Sequence, residues 1–125
     1  MLKYAMVAMG GALGAMARFW VASYVGQRMG TRLPYGTFVI NISGCFLIGL
    51  TMTILTDKTH LSPNWLYLVP VGFIGAYTTF STFEFETMRA VQDGQWTGGI
   101  VNVVLSVLVG FVMVWLGIVT GRAVA

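Results

Sequence analysis

Four long apolar runs, separated by short polar links, limit what this chain can fold into. The runs cover about residues 2–25, 35–55, 65–91 and 96–120. Because a helix needs roughly 20 apolar residues to cross the hydrocarbon core of a bilayer, each run is long enough for one crossing. The links between them are too short to form a domain of their own. We therefore predict a single four-helix membrane domain over residues 1–125.

The amino-acid composition agrees with an all-α integral membrane protein. Hydrophobic residues make up 57% of the chain and charged residues only 9%, whereas roughly a quarter of the residues in soluble domains are charged. Long continuous runs, rather than short alternating ones, exclude a transmembrane β-barrel. The seven basic residues are scattered along the chain and form no patch, so we expect no nucleic-acid partner.

The first run has some features of a cleavable signal peptide. Lys3 precedes apolar sequence, and Ala15-Met16-Ala17 has the small residues of a cleavage site. Apolar sequence nevertheless continues to Ala22, and the rest of the chain is itself membrane-spanning. We therefore interpret the run as a membrane helix, in which Gly10 and Gly14 give a smooth face that lets another helix approach closely.

Arg18 lies near the end of this predicted helix, and two interpretations of it remain open. Its side chain can extend toward the lipid headgroups, as long basic side chains do at helix ends. It can also attract anions toward a vestibule.

The chain has one cysteine and one histidine, and neither indicates a metal site. Cys45 lies in the middle of the second run, where we expect a small packing residue. His60 lies in the second link without another histidine or cysteine nearby, so we interpret it as a solvated loop residue.

The stretch from Gly72 to Glu86 is unusually polar for a membrane span. Glycines at 72 and 75 are followed by Thr78 and Thr79, and neither residue type favours a helix interior. We predict a break near residues 76–79. A break frees backbone carbonyls that lipid cannot satisfy, so they must face protein or an ion; carbonyls suit a hard cation such as sodium. A simple glycine kink for helix packing is the alternative.

Phe80 and Phe83 follow the predicted break and are three residues apart, so they share a helix face. Ser81 and Thr82 lie between them. Because aromatic rings have positive edges, edge-on rings tolerate a small anion, while the hydroxyls supply hydrogen-bond donors. The alternative is that the rings pack against lipid or a neighbouring helix.

Polar residues in the other runs also occur in pairs with helical spacing. Thr37 and Asn41 are four apart in the second run, and Asn102 and Ser106 are four apart in the fourth. An asparagine amide within the membrane must find partners. Asn41 therefore either bonds a neighbouring helix or lines a polar pore. Glu84 and Glu86 lie near the end of the third run, where at least one is expected at the headgroup level.

The lysines and arginines do not favour either orientation in the membrane. With four crossings, three of them fall on one side and four on the other, so the positive-inside rule gives no preference. A chain without a preference can insert both ways. We therefore predict a dual-topology antiparallel homodimer with its two-fold axis in the membrane plane.

Taken together, these residues resemble the Fluc/CrcB fluoride channels, a family of small four-helix bacterial membrane proteins. The resemblance covers essentially the whole chain. The motifs that carry it are Gly10 to Ala15 with Arg18, Gly36-Thr37-Phe38 with Asn41 and Gly44 to Phe46, and Gly72 to Gly75 running into Thr78 to Phe83.

The resemblance implies a fluoride-selective channel in the bacterial cytoplasmic (inner) membrane that exports fluoride and so protects against its toxicity. It implies two pores per antiparallel dimer and one structural sodium ion, held by the carbonyls of Gly75 and Thr78, with no organic cofactor. It implies that Phe80 and Phe83 face the ion and that Asn41 donates to it. The further pore positions would be Thr37, Ser81, Thr82, Glu86, Asn102 and Ser106. Asn102 departs from the family pattern, because many members have tyrosine there.

The sequence argues against three other functions. A small multidrug-type exporter, which couples cation export to proton entry, uses a glutamate in its first helix, and the first run contains no acid. A non-transporting assembly subunit would leave the hydroxyl-rich stretch and Asn41 unexplained. An enzyme is not expected, because the sequence offers no nucleophile, base and orienting group in a polar cavity.

Overall fold

The structure is a computed structural model that describes residues 1–57 and 61–124. The described residues form helices and short connections without strands, which confirms the predicted all-α class. The helices are α1, Leu2–Met29; α2, Tyr35–Asp57; α3, residues 64–77; α4, Ser81–Gln92; and α5, Trp96–Val124. Since α3 and α4 together make one crossing, the described residues contain four segments long and apolar enough to span a membrane. Lys58 and His60 lie outside the described residues.

The first helix is longer than the sequence suggested. We expected it to end at about residue 25, before a polar link, but α1 continues to Met29. Gln27 and Arg28 are polar, yet both are compatible with a helix whose last turn leaves the hydrocarbon. The helix ends at Gly30, whose φ of 79° is readily adopted only by glycine, and whose N–H donates to Gly26 O at 2.9 Å.

The helix α3 contains a wide central segment that the sequence did not predict. An α-helical turn, Asn64–Leu66, leads into a π-helix, Tyr67–Ile74, and a second α-helical turn, Gly75–Tyr77. Pro70 lies inside the π-helix and has no N–H to donate. The N–H of Gly75 donates to Pro70 O, five residues earlier, which is the π-helical spacing.

Helix α1 packs directly on the backbone of α3. A Cβ added to Gly10 would overlap Leu68 O, and one added to Gly14 would overlap Phe73 O. Two glycines one turn apart therefore allow contact between the backbones themselves, as the smooth face of the first run predicted.

Helix α2 makes its most extensive contact with α5, by the same means. Added Cβ atoms on Gly49 and Gly117 would overlap Val114 O and Phe46 O respectively. The four crossings thus pair first with third and second with fourth. The two pairs meet where α1 and α3 contact α2 and where α4 contacts α5.

The buried core is small and surrounds the junction of α3 and α4. The third crossing has 33% of its most apolar window buried, against 11% for α1 and for α5. The third crossing is therefore the most buried of the four, and many large apolar side chains of α1 and α5 face outward. The buried residues with side chains beyond glycine and proline are Thr37, Ile40, Ile74, Tyr77, Phe83 and Ala90.

Candidate functional site

The third crossing is interrupted at residues 78–80. The N–H of Thr78 still donates to Ile74 O at 3.0 Å, so the helix persists through Tyr77. Thr78 is then extended, with φ −78° and ψ 159°, and Phe80 returns to helical angles before α4 begins. The sequence placed the break near residues 76–79, and the extended backbone lies at its C-terminal end.

The amide of Asn41 on α2 pairs with both backbone groups of Thr79. Its Nδ2 donates to Thr79 O at 2.9 Å, and its Oδ1 accepts the Thr79 N–H at 2.9 Å. Backbone groups at membrane depth need such partners because no water is present to supply them. Asn41 therefore replaces hydrogen bonds that the interrupted helix has lost. This is the first of the two roles considered for Asn41, a bond to a neighbouring helix. Donation from Asn41 to an anion stays a prediction.

Several carbonyls at the break, those of Gly75 and Thr78 among them, lose their usual helical donors. In a continuous helix the N–H of Thr79 would donate to Gly75 O, but it donates to Asn41 Oδ1. Likewise the N–H of Thr82, the helical donor for Thr78 O, lies 3.3 Å from Thr79 Oγ1 and donates to it. Gly75 and Thr78 both line an open cleft of about 340 Å³ beside the break. The carbonyls that the family resemblance assigns to sodium are among those released in this way.

The hydroxyl of Thr79 bonds to the first turn of α4. It accepts the Thr82 N–H and donates to Thr82 Oγ1 at 3.0 Å. The Thr82 oxygen thus acts as an acceptor toward Thr79, so its own hydrogen is available to another acceptor.

Tyr77 fixes the other side of the break to α2. The hydroxyls of Tyr77 and Ser43 lie 2.8 Å apart. Ser43 Oγ also lies 2.8 Å from Val39 O, to which it donates, so the Tyr77 hydroxyl is the donor in the pair. Next to this pair, the methyl group of Thr78 fills the space that a Cβ on Gly44 would occupy.

Phe80 and Phe83 lie on either side of the start of α4 in different environments. Their ring centroids are 6.0 Å apart and the rings are inclined by 43°. Phe83 is 7% exposed, whereas Phe80 is 74% exposed. The Phe83 ring is therefore held within the protein, and the Phe80 ring is exposed at the surface beside the break.

Glu86 and Thr37 connect α4 to α2 at one end of the molecule. The hydroxyl of the buried Thr37 donates to a carboxylate oxygen of Glu86. Both residues line a polar cleft of about 560 Å³. Arg32, Arg89 and Asp93 also line the cleft, so it carries charged groups of both signs.

Comparison with known proteins identifies the family. Residues 5–118 match the family described as CrcB-like protein, Camphor Resistance (CrcB). A protein of Acidobacterium capsulatum is 54% identical over 98% of each chain, and one of Solibacter usitatus is 46% identical over 97% of this chain and 99% of its own. A third, from Hydrogenovibrio crunogenus, is 48% identical over 97% and 92% of the two chains. Each of the three is named fluoride-specific ion channel FluC.

This chain belongs to the CrcB family. The family resemblance stated from the motifs is thereby confirmed, and the chain is a multi-pass membrane protein of a bacterial family.

Two polar residues of α5 differ in their surroundings in this CrcB protein. Asn102 Nδ2 donates to Thr87 Oγ1 of α4 at 2.8 Å. Ser106 Oγ is buried and has no hydrogen-bond partner among the described residues. A buried hydroxyl without a partner is costly in an apolar environment.

The remaining predicted residues of this CrcB chain are more dispersed. Ser81 is exposed, on the outward side of α4. Arg18 is half-buried and does not belong to the lining of the cleft at Glu86, whose arginines are Arg32 and Arg89. The structure thus brings Asn41, Thr79 and Thr82 together at the break and Thr37 and Glu86 together at the cleft.

Sequence reasoning missed three residues that support the site: Ser43, Tyr77 and Thr87. Ser43 and Thr87 carry hydroxyls within apolar helices, and such groups need partners in a membrane. Ser43 and Thr87 need hydrogen-bond partners at membrane depth for the same reason as Asn41. Their partners depend on how the helices are rotated against one another, which the spacing of one chain does not give.

Proposed function

We propose that this protein is a fluoride-selective ion channel that exports fluoride across the bacterial cytoplasmic membrane and protects the cell against fluoride toxicity. The observation that carries the proposal is the interrupted third crossing, where released carbonyls, hydroxyls and two rings lie together. It occurs in a chain that aligns over nearly its full length with relatives named as fluoride channels. Such a protein conducts an ion and catalyses no reaction.

Fluoride is small and strongly hydrated, so a selective pore must replace its water with hydrogen-bond donors. Chloride is too large to gain equally from the same donors. Hydroxyls and amides supply the donors, and the positive edges of aromatic rings add a favourable field while their bulk excludes water. An anion-specific exit lets the negative potential inside the cell expel fluoride that has entered as hydrogen fluoride.

We assign the pore to a set of polar and aromatic residues around the junction of α3 and α4. The unpartnered hydroxyl of Ser106 and the available hydroxyl hydrogen of Thr82 support the assignment. Arg18 is assigned to the vestibule, where a positive charge attracts anions. The pore set is Thr37, Asn41, Phe80, Ser81, Thr82, Phe83, Glu86, Asn102 and Ser106.

The functional unit in this proposal is an antiparallel homodimer with two pores. The even distribution of lysine and arginine supports insertion in both orientations. The exposure of Phe80 and of Gly75, both beside the break, supports a second copy that covers this surface. Aromatic residues, phenylalanine included, are enriched at the cores of protein–protein interfaces.

A structural sodium ion fits the residues at the break. Gly75 and Thr78 would hold it through their carbonyl oxygens, which have lost their helical donors, and both residues line an open cleft. Carbonyl oxygens of unwound membrane helices are the type of ligand that binds sodium. When bound, the ion would neutralise the partial negative charge of these oxygens.

The sodium assignment predicts that monovalent cations differ in their effect on stability. We expect the purified protein in detergent to unfold at a higher temperature in sodium chloride than in N-methylglucamine chloride of equal concentration. Equal Tm values in the two salts would contradict the assignment and leave the channel itself unaffected.

The decisive experiment for the channel measures fluoride efflux from liposomes with a fluoride electrode. We expect efflux that needs no proton gradient and that greatly exceeds chloride efflux under the same gradient. No fluoride efflux, together with proton-coupled transport of a cation, would support the exporter instead. The structure offers no observation that favours an exporter, since α1 contains no acidic residue.

The two phenylalanines test the pore assignment. We expect Phe80→Ile and Phe83→Ile each to lower fluoride efflux severalfold, because each removes a ring edge. Phe83 is buried and Phe80 is exposed within one chain, so Phe83→Ile should also reduce Tm, while Phe80→Ile changes it less. Unchanged efflux in both variants, in protein that elutes as the wild type does, would remove the rings from the pore.

A further inference from the structure

The hydroxyl of Thr87 connects α4 to α5 through two consecutive hydrogen bonds. Asn102 Nδ2 donates to Thr87 Oγ1 at 2.8 Å, and Thr87 Oγ1 donates to Phe83 O at 2.7 Å. The directions are fixed because the Phe83 carbonyl can only accept and a hydroxyl has one hydrogen. Thr87 therefore accepts from Asn102 with a lone pair, and the two bonds do not compete. We call this pair of bonds the Asn102 relay.

Gly99 brings the two helices together at the level of this relay. It lies three residues before Asn102 on α5, on the same face. A Cβ at position 99 would come within 2.7 Å of Val91 Cγ2 and 3.5 Å of Thr87 O. The close approach at Gly99 depends on packing alone, so it shows independently that this face of α5 is turned toward Thr87.

The Asn102 relay ends at the carbonyl of Phe83, whose ring is the buried one of the Phe80–Phe83 pair. The Phe83 ring makes no hydrogen bond, so its direction follows from the rotation of α4 about its own axis. Among the described residues, α4 is joined to α5 by one side-chain hydrogen bond, the bond from Asn102. A bond to Thr87, one turn after Phe83, restricts that rotation and with it the place of the ring 6.0 Å from Phe80.

We infer that Asn102 is a positioning residue for the permeation path, which acts on the ion through Thr87 and Phe83. The inference rests on the proposed fluoride channel and changes the role of Asn102 within it. As a direct pore donor, Asn102 would offer its amide to fluoride and would not need Thr87. As a positioning residue, it depends on the Thr87 hydroxyl, so the two residues form one functional unit.

A double-mutant cycle on fluoride efflux separates these two roles. We expect Asn102→Leu and Thr87→Val each to lower the rate about fivefold, the factor that corresponds to about 1 kcal/mol for one lost hydrogen bond. The double variant should be no slower than the slower single variant, because each change breaks the same unit. Thr87→Ser keeps the hydroxyl and should conduct at the wild-type rate.

Thr51→Val is the matched control. The Thr51 hydroxyl donates to Leu47 O at 2.7 Å on α2, so this variant loses the same kind of bond within a helix. We expect unchanged efflux, which shows that loss of the local bond alone is not sufficient.

A second measurement does not depend on conduction. Amide hydrogen exchange of residues 83–92, followed by mass spectrometry in detergent, reports how firmly α4 is held. We expect faster exchange in Asn102→Leu and in Thr87→Val, to a similar extent, and wild-type exchange in Thr87→Ser and Thr51→Val.

Three results would overturn the inference: wild-type efflux in Thr87→Val, losses that multiply in the double variant, or unchanged exchange in both single variants. The first would make Asn102 a direct donor to the ion. If the wild type conducts no fluoride, the proposed function fails, and the exchange data still decide whether the relay holds α4. If Asn102→Leu does not fold, the contrast between Thr87→Val and Thr87→Ser decides the inference.

Discussion

The two halves of the third crossing are held by different kinds of contact. Helix α3 lies with its backbone against the backbone of α1, at Gly10 and Gly14, where no side chain intervenes. Helix α4 is held by side-chain hydrogen bonds, from Thr37 to Glu86 and from Asn102 to Thr87. The first half is held mainly by backbone packing, whereas the second combines packing at Gly99 with a few polar bonds that single substitutions can remove. The break therefore separates a segment held mainly by backbone packing from one in which side-chain hydrogen bonds contribute more.

The difference matches what each half is proposed to do. The α3 side supplies the Gly75 carbonyl, and an ion held by backbone oxygens requires a backbone that does not move. The α4 side supplies the rings and hydroxyls of the pore, whose positions are set by side-chain contacts. Substitutions should therefore affect folding most strongly in the first half and conduction most strongly in the second.

The largest effect is expected at the glycine contact. Gly14→Ala would place a Cβ on Phe73 O, which is backbone and cannot turn aside. We expect a loss of about 3 kcal/mol in the free energy of unfolding, at the upper end for overpacking. Gly11→Ala is the control, because a Cβ there meets nothing within 4 Å. Equal stability of the two variants in denaturant titrations would show that α1 and α3 are not packed so closely.

A smaller effect is expected at the junction itself. Asn41→Leu would remove the partners of both backbone groups of Thr79. We expect a loss of about 2 kcal/mol, because buried groups left without hydrogen bonds are costly, together with a loss of fluoride efflux. Asn41→Gln keeps an amide donor and acceptor and should lose less stability than Asn41→Leu. The reverse order in thermal unfolding would contradict the pairing of the Asn41 amide with Thr79.

The smallest effect on stability is expected at the hydrogen bond between Thr37 and Glu86, in the middle of α4. Thr37→Val keeps the shape of a buried side chain but removes the donor to Glu86. We expect a loss of about 1 kcal/mol in stability, the usual net value of one hydrogen bond, with a clear decrease in fluoride efflux. Thr56→Val, which removes an exposed hydroxyl on α2, is the control and should change neither. A loss as large as that of Gly14→Ala would mean that the two halves are not held differently.

The number and type of the helices were predictable from the sequence because they depend on the bilayer. Runs such as residues 96–120 leave no alternative to a helix, since lipid offers their backbone no partner. The break was predictable for a similar local reason: Gly75, Thr78 and Thr79 disfavour a helix by their own chemistry. The break lies toward the later residues because Thr78 still bonds to Ile74.

The π-helix and the partners of the polar side chains were not predictable in this way. A π-helix around Pro70 depends on how α3 fits against the glycines of α1, which is a contact between distant residues. The pairs Ser43–Tyr77 and Asn102–Thr87 depend on helix rotation. Spacing identifies residues that share a face, but it does not show what that face meets.

The pairing of first with third and second with fourth crossings also determines when the protein can assemble. The first and second crossings enter the membrane before their main partners have been synthesised, because those partners are the third and fourth crossings. Helix α2 in particular remains without α5 until the last crossing has been inserted. A chain shortened before Trp96 would therefore lack the surface that covers Gly49. Assembly of this small protein is complete only after the fourth crossing has been inserted.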